Sequence, residues 1–389
     1  MNISILLPYK ENFSPAYPGA VSLFVYETTK ISKYKKNITV FGNTNFKKKF
    51  DLKYVNIDLK KDLFTSQTKL YVNKFINLER KYKSSIIEIH NRPSYIKILH
   101  SKLKNKVLTL YFHNDPLSMD GSKTINQRKQ LLKYCYKIIF NSAWSKKRFL
   151  EGLENKFVNS NKLLIFYQSA KKKKLSIINN KNKWITFVGK LNKAKGYDIF
   201  SKSIVKVLNK FPNWKAMIIG DEKREKILLD HKNATILGFK KHEDVLKIFE
   251  KTSITIACSR WEEPFGRTSL EASANGCAVI ITNKGGLPET VTDAKIINNL
   301  NEKILTKTIT SLITDNKLRK KLQTRSIKNF YLTHKFVSKN IDDYRSEKLF
   351  NKKKFFTKAK KKSLRILHVT NFNERLDGRL FFNTGRRLN

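Results

Sequence analysis

Short apolar runs recur along the chain, separated by longer polar segments in which apolar residues fall at helical spacing. The first run covers residues 3–8. After a loop bearing Pro18 and Gly19, a helix is expected where Val21, Phe24, Val25 and Thr28 line one face. Further runs at 38–41, 86–89, 107–112 and 138–140 have the character of buried strands, and the segments between them favour parallel βαβ units. A basic, Asn-punctuated stretch over 171–182 reads as a connection. The pattern then restarts with 184–188, ending at Gly189, and continues through 216–219, 235–237, 254–257 and 278–282. The expected fold class is therefore α/β, with two doubly wound, Rossmann-like domains over residues 1–170 and 184–325. A helix is expected over 326–348, with Phe336, Ile341 and Tyr344 on its apolar side. Beyond it come a basic linker at 349–362, a strand at 364–369, and a loop entering a helix. Residues 363–389 are thus expected to begin a further, truncated domain, or else to add a strand to an existing sheet edge.

Composition supports a folded chain: 389 residues, 40% apolar and 12% aromatic, are enough for two ordinary cores. The charge changes the picture more. There are 80 basic against 31 acidic residues, a net +49, which would attract nucleic acid, anionic lipid or phosphorylated substrates. Two readings stand. The lysine excess accompanies abundant Asn and Ile, all with A/T-rich codons, so genomic base bias can supply it. Otherwise the partner is an anionic membrane surface. Nucleic acid is not expected, because no surface pattern interleaves aromatic and basic residues. Cys135, Cys258 and Cys277 lack metal-ligand spacing and suggest core packing in a reducing compartment. The opening MNISILLPYKEN lacks a signal-peptide core and no stretch reaches membrane-span length. The expected location is cytoplasmic, with at most peripheral contact at the inner membrane face.

The densest chemistry lies in Trp261-Glu262-Glu263-Pro264-Phe265-Gly266-Arg267-Thr268-Ser269-Leu270-Glu271-Ala272, which follows the apolar run 254–257 and opens a helix-patterned segment. Loops beyond the carboxyl ends of parallel strands are where open α/β sheets take ligands. Gly266 lets backbone approach a ligand, and the amides around Phe265, Gly266 and Arg267 suit an anion at a helix start. Glu263 on the loop and Glu271 in the first turns can face one cleft and accept hydrogen bonds from vicinal hydroxyls. Taken alone, Glu271 would equally serve the helix dipole, and Pro264 would simply shape the entry.

The whole run, Glu263 and Glu271 flanking Pro-Phe-Gly, resembles the signature of retaining glycosyltransferases of family 4, which have the GT-B fold of two facing Rossmann-like domains with a donor cleft between them. Other stretches agree in order: Gly189-Lys190-Leu191-Asn192-Lys193-Ala194-Lys195-Gly196, then Ile236-Leu237-Gly238-Phe239 near the nucleobase, then Gly285-Gly286-Leu287-Pro288-Glu289. The resemblance covers about residues 1–348 and is densest over 184–292. It implies that Glu271 holds the donor ribose, that Glu263 contacts the transferred sugar with the amides near Phe265 and Gly266, and that Lys190 and Lys195 bind the diphosphate. It further implies that His113, in Tyr111-Phe112-His113-Asn114-Asp115-Pro116, faces the donor sugar, and that Gly19 approaches the phosphates. His90, Asn91 and Arg92 are acceptor-side candidates. The co-substrate would be a nucleoside-diphosphate sugar and the acceptor a glycan or lipid-linked sugar, in surface polysaccharide or lipopolysaccharide synthesis. Neither cofactor nor metal is expected. Two departures stand out: Lys190 replaces an arginine, losing bidentate geometry, and Gln168-Ser169-Ala170 replaces an Asn-Gly turn at the hinge. The rivals are a non-catalytic basic binding protein and a donor-binding relic without transfer.

Overall fold

A computed structural model describes residues 2–59 and 66–354. The described residues up to Asp342 form one compact unit, and residues 343–354 continue the last helix. The expected strand at 364–369 and the tail after it lie outside the described residues.

The first half alternates β1 (Ile3–Leu6), α1 (Ala20–Lys30), β2 (Ile38–Gly42), β3 (Tyr54–Asn56), α2 (Gln67–Tyr82), β4 (Ile86–His90), α3 (Tyr95–Lys102), β5 (Val107–Phe112), α4 (Ile125–Tyr134), β6 (Lys137–Phe140), α5 (Ala143–Leu150) and β7 (Leu163–Ile165). The second half runs β8 (Asn182–Val188), α6 (Tyr197–Lys210), β9 (Lys215–Ile219), β10 (Ala234–Ile236), α7 (His242–Lys251), β11 (Thr252–Ala257), α8 (Arg267–Ala274), β12 (Ala278–Thr282), β13 (Ala294–Ile297), α9 (Glu302–Thr314), α10 (Asn316–Lys328) and α11 (His334–Lys354). The strands make two parallel sheets, in the orders β3-β2-β1-β4-β5-β6-β7 and β10-β9-β8-β11-β12-β13. Each order reverses once, between β1 and β4 and between β8 and β11. Those reversals leave a crevice at the carboxyl ends, the usual place for a ligand.

The central strands are apolar on both faces because helices cover both sides. In the second sheet Ile254, Ile256 and Ile280 pack against Phe200 and Ile204 of α6 and Leu305 and Ile309 of α9. The alternate residues Val279 and Ile281 pack against Val245 and Phe249 of α7 and Ala272 of α8. Each such side chain contributes about 1.5–3 kcal/mol through burial. In the first sheet Leu6, Phe41, Ile87 and Leu110 form a core with Tyr71, Phe75, Tyr95 and Leu99. Cys135, Cys258 and Cys277 are unpaired and buried in these cores. Among the described residues no helix is long and apolar enough to cross a membrane.

Several boundaries differ from the sequence reading. Strands β3, β7 and β13 were not anticipated, and β10 begins and ends one residue earlier than the 235–237 run. The helix expected over 326–348 is two helices: α10 ends at Lys328, and α11 starts at His334. Between them Ala170 N–H donates to Leu332 O at 3.0 Å, Ala170 bridges Thr333, and Ser169 Oγ lies 2.9 Å from His334 Nδ1. The hinge segment thus binds the break. Helix α11 also runs to Lys354, into the stretch expected as a linker from 349. Its Asp342 carboxylate accepts from Ser32 Oγ at 2.6 Å and Lys33 N–H at 2.8 Å, just after α1.

Candidate active site

The strand β11 delivers Ser259 to Gly266 as an irregular loop, and the loop after β12 holds it in place. Gly286 N–H donates to Glu263 O at 2.6 Å, and Thr282 Oγ1 donates to Ser259 O at 2.7 Å. Gly266 caps α8 at a φ of 126°, which a side chain would not tolerate. The loop therefore turns sharply and sets the amide end of α8 toward the crevice.

A cavity of about 280 Å³ lies there, lined by His113, Asn141 and Gln168 from the first half and by Lys195, Trp261, Glu263, Phe265 and Gly266 from the second. The Glu263 carboxylate is buried and receives both the Lys195 ammonium and Ser259 Oγ. The ammonium also sits 5.7 Å over the Trp261 ring. Lys195 is placed by a short helical turn that Asn192 caps, its Oδ1 accepting from Lys195 N–H at 3.0 Å.

Across the cavity, His113 directly follows β5. Its N–H donates to Asn91 Oδ1 at 3.1 Å, its carbonyl accepts from Asn141 Nδ2 at 3.0 Å, and the Phe24 ring meets it edge-on. Its Nε2 lies 2.9 Å from His90 Nδ1. Its Nδ1 is buried without a hydrogen-bond partner among the described residues. Burial pushes its pKa down to about 3, so the ring is neutral.

Of the sequence candidates, His113, Lys195, Glu263, Phe265 and Gly266 line this cavity, while Gly19, Lys190 and Glu271 do not. Lys190 is exposed on the loop after β8. Gly19 caps α1 and is crowded by Glu11: a Cβ there would stand 2.2 Å from Glu11 Oε1, which accepts from Ser22 N–H at 3.0 Å. A carboxylate therefore covers this helix start. Glu271 lies one helical turn beyond the cavity wall, ion-paired with Arg267 Nε at 2.6 Å and within hydrogen-bond distance of His242 Nε2 at 2.7 Å. Burial disfavours its charge, but Arg267 and His242 outweigh that and hold its carboxyl below the ordinary range. The sequence reading missed His242 and the guanidinium role of Arg267, which also donates to both oxygens of Glu27 at 2.7 Å. The i,i+4 spacing of Arg267 and Glu271 was a readable signal; the contacts with Glu27 and His242 had none.

The two halves touch beside the cavity. Ser142 Oγ donates to Pro264 O at 2.6 Å, and the Glu289 carboxylate accepts from Ala143 and Trp144 N–H at 2.6 and 2.9 Å, at the start of α5. Among the described residues no three His, Cys, Asp or Glu side chains gather as metal ligands.

Residues 168–329 match the family described as glycosyl transferases group 1. The chain is 23% identical over 326 residues to spore coat protein SA of Bacillus subtilis, covering 76% of this chain and 84% of that one. It is 22% identical over 336 residues to lipopolysaccharide 1,2-N-acetylglucosaminetransferase of Salmonella typhimurium, covering 75% and 86%. The crystal structure of Anabaena HepE in complex with UDP-glucose has the same fold, with a TM-score of 0.70 at 16% identity over 89% of this chain and 99% of that one. Residues 168–329 are thus similar to glycosyl transferases group 1, and the two-sheet fold of the whole is that of the HepE structure.

Proposed function

We propose that this protein moves a sugar from a nucleoside diphosphate to an acceptor hydroxyl with retention of anomeric configuration and without a metal ion. The observation that carries the reading is the convergence of Glu263, Lys195 and the amide end of α8 with His113 on one cavity between the sheets. When the glycosyl bond breaks, negative charge grows on the leaving diphosphate. Lys195 and the helix start are fixed positive groups that stabilise such charge without reorganising, and the exposed Lys190 can swing in to add to them. Glu263, held beside Lys195, accepts hydrogen bonds from the sugar hydroxyls, and neutral His113 offers a further polar contact. Glu271, oriented by Arg267 and His242, takes the ribose hydroxyls.

Retention by two displacements would need a carboxylate nucleophile at the anomeric carbon. Glu263 is engaged with Lys195 and Ser259 instead, which favours departure and attack on one face, the leaving phosphate taking the acceptor proton. Closure of the two halves excludes water and limits donor hydrolysis. The domains that carry this division of labour are an acceptor side over 1–170 and a donor side over 184–325. Names among the relatives favour an acceptor in lipopolysaccharide or surface-polysaccharide assembly. The basic surface suits work at an anionic, cytoplasmic membrane face.

A thermal-shift panel of UDP, GDP, ADP and their sugar conjugates tests the donor site, with wild type beside Glu271→Ala. At a hundredfold excess over Kd a ligand adds about 2.7 kcal/mol of stability. One nucleotide should stabilise wild type and lose that effect in the variant. Stabilisation by none of them removes the reading, and an inverted product anomer by NMR removes its stereochemistry.

A further inference from the structure

The loops that leave β1 and β4 meet where the first sheet reverses its strand order, on the side of the cleft opposite the donor loops. Each carries a non-glycine residue in the left-handed region, Lys10 at a φ of 69° and Asn91 at 55°. Lys83 and Asn105 share that conformation, but Lys83 caps the end of α2 and Asn105 follows α3, where it is ordinary. Lys10 and Asn91 follow strands instead, and backbone strain of this kind collects at ligand sites.

Between the loops stand Tyr9, Tyr71, Tyr95 and Arg92. Tyr71 Oη donates to Leu7 O at 3.0 Å, and Tyr9 N–H donates to Tyr95 Oη at 3.2 Å, so tyrosines fix the path of the first loop. Arg92 lies close to the Tyr95 hydroxyl, and the Lys10 ammonium lies 5.4 Å over the Tyr9 ring.

In a chain so rich in lysine an unpaired lysine says little, but several described arginines sit against a carboxylate, while Arg128 and Arg319 donate to the carbonyls that end α5 and α9. Arg148, Arg224, Arg260, Arg267 and Arg325 each lie within 3.0 Å of a carboxylate. Arg92 is half-buried and has only neutral partners: its Nη1 donates to Asn91 O at 2.7 Å, and no carboxylate pairs with it among the described residues. The neighbouring Asn91 is the residue whose side chain receives the His113 N–H. A charge bound by Arg92 would therefore sit beside the wall that faces the donor sugar.

We propose that Arg92 and Lys10 seat a phosphate-bearing acceptor, a sugar carrying a phosphate or diphosphate, with the guanidinium gripping the phosphate oxygens and Tyr9 flanking the sugar. This rests on the transferase reading above and assigns its acceptor class.

The test is calorimetric titration of the full chain, with and without nucleotide, using three probes: hexose 1-phosphate, a short-chain polyprenyl-diphosphate hexose, and a neutral alkyl hexoside. Arg92→Gln should weaken phosphorylated probes about tenfold or more, Arg92→Lys should recover part of that, and Arg80→Gln on the exposed side of α2 should change nothing. Binding of both phosphorylated probes identifies the phosphate as the shared determinant. Binding of the lipid probe alone identifies a lipid-linked source, and of the soluble probe alone a free sugar phosphate. The proposal is overturned if no phosphorylated probe binds, if the neutral hexoside binds equally well, or if Arg92→Gln leaves affinity intact. Absence of nucleotide binding in wild type would sink the transferase reading separately.

Discussion

His113 is a neutral ring because burial removes the water that would stabilise an imidazolium. The unfolded chain takes up that proton near pH 6.5, the folded chain only near 3. Between those values the unfolded state binds more protons, so the folded state is fully favoured above about pH 6.5 and loses ground as the pH falls toward 3. The slope is about 1.4 kcal/mol per pH unit for this one group. His334 shifts in the same direction, again mainly by burial, so the measurement must be a comparison. Urea midpoints between pH 6.5 and 4 should fall less steeply in His113→Asn than in wild type; parallel slopes would show that His113 titrates normally. At this scale the sequence was informative where chemistry is local to a motif. Glu263 and Lys195 lie in recognisable loops and do meet. Arg267 was read only as an amide donor, because its partner Glu27 lies 240 positions away and nothing in either neighbourhood signals the other. Its charge is the more firmly held for that. Burial alone would weaken it, but Glu27 and Glu271 together raise its pKa above the ordinary arginine value.

At the scale of elements, the donor loop depends on a close backbone crossing. Gly285 has a φ of 58°, and a Cβ there would lie 2.2 Å from Glu263 O and 2.6 Å from Glu263 N. The loop after β12 can therefore support the loop after β11 only with no side chain at that point. Gly285→Ala should cost about 1–3 kcal/mol through strain and should weaken nucleotide binding as well, because the displaced atoms belong to Glu263. Melting temperature and nucleotide affinity read together check this; an alanine variant with wild-type affinity would mean that the loop holds its shape unaided. The central strands were legible for the reason that makes them stable: sheets covered on both faces need uninterrupted apolar runs. The three-residue strand β3 and the outer strand β13 escaped notice because edge positions are half-exposed and their residues carry no such run, whereas β7 opens the apolar run Leu163-Leu164-Ile165-Phe166-Tyr167 and was readable. The break between α10 and α11 escaped too, since its cause is a partner, the hinge at Ser169 and Ala170, rather than a proline or glycine.

At the scale of the whole molecule, the halves are held together at a few polar points beside the cavity, against a net charge of +49 that favours their separation. Glu289 is the most exacting of these contacts. Its carboxylate accepts two N–H groups at the start of α5, a favourable place for negative charge. Burial pushes its pKa up, while those two N–H groups and Tyr167 pull it down. Hydrogen bonds to a charged group are worth about 1.5–3 kcal/mol, enough to shift an open-closed equilibrium at least tenfold. Glu289→Ala should therefore open the ligand-free protein, seen as a larger radius of gyration by X-ray scattering, and a bound nucleotide should bring it partly back. Salt separates the two forces involved. Repulsion between lysine-rich surfaces is screened beyond about 8–10 Å near physiological ionic strength, whereas a partly buried contact is screened much less. The variant should contract as salt is added while wild type changes little. A variant as compact as wild type at low salt would mean that Ser142 with Pro264 and Arg267 with Glu27 keep the cleft closed without Glu289.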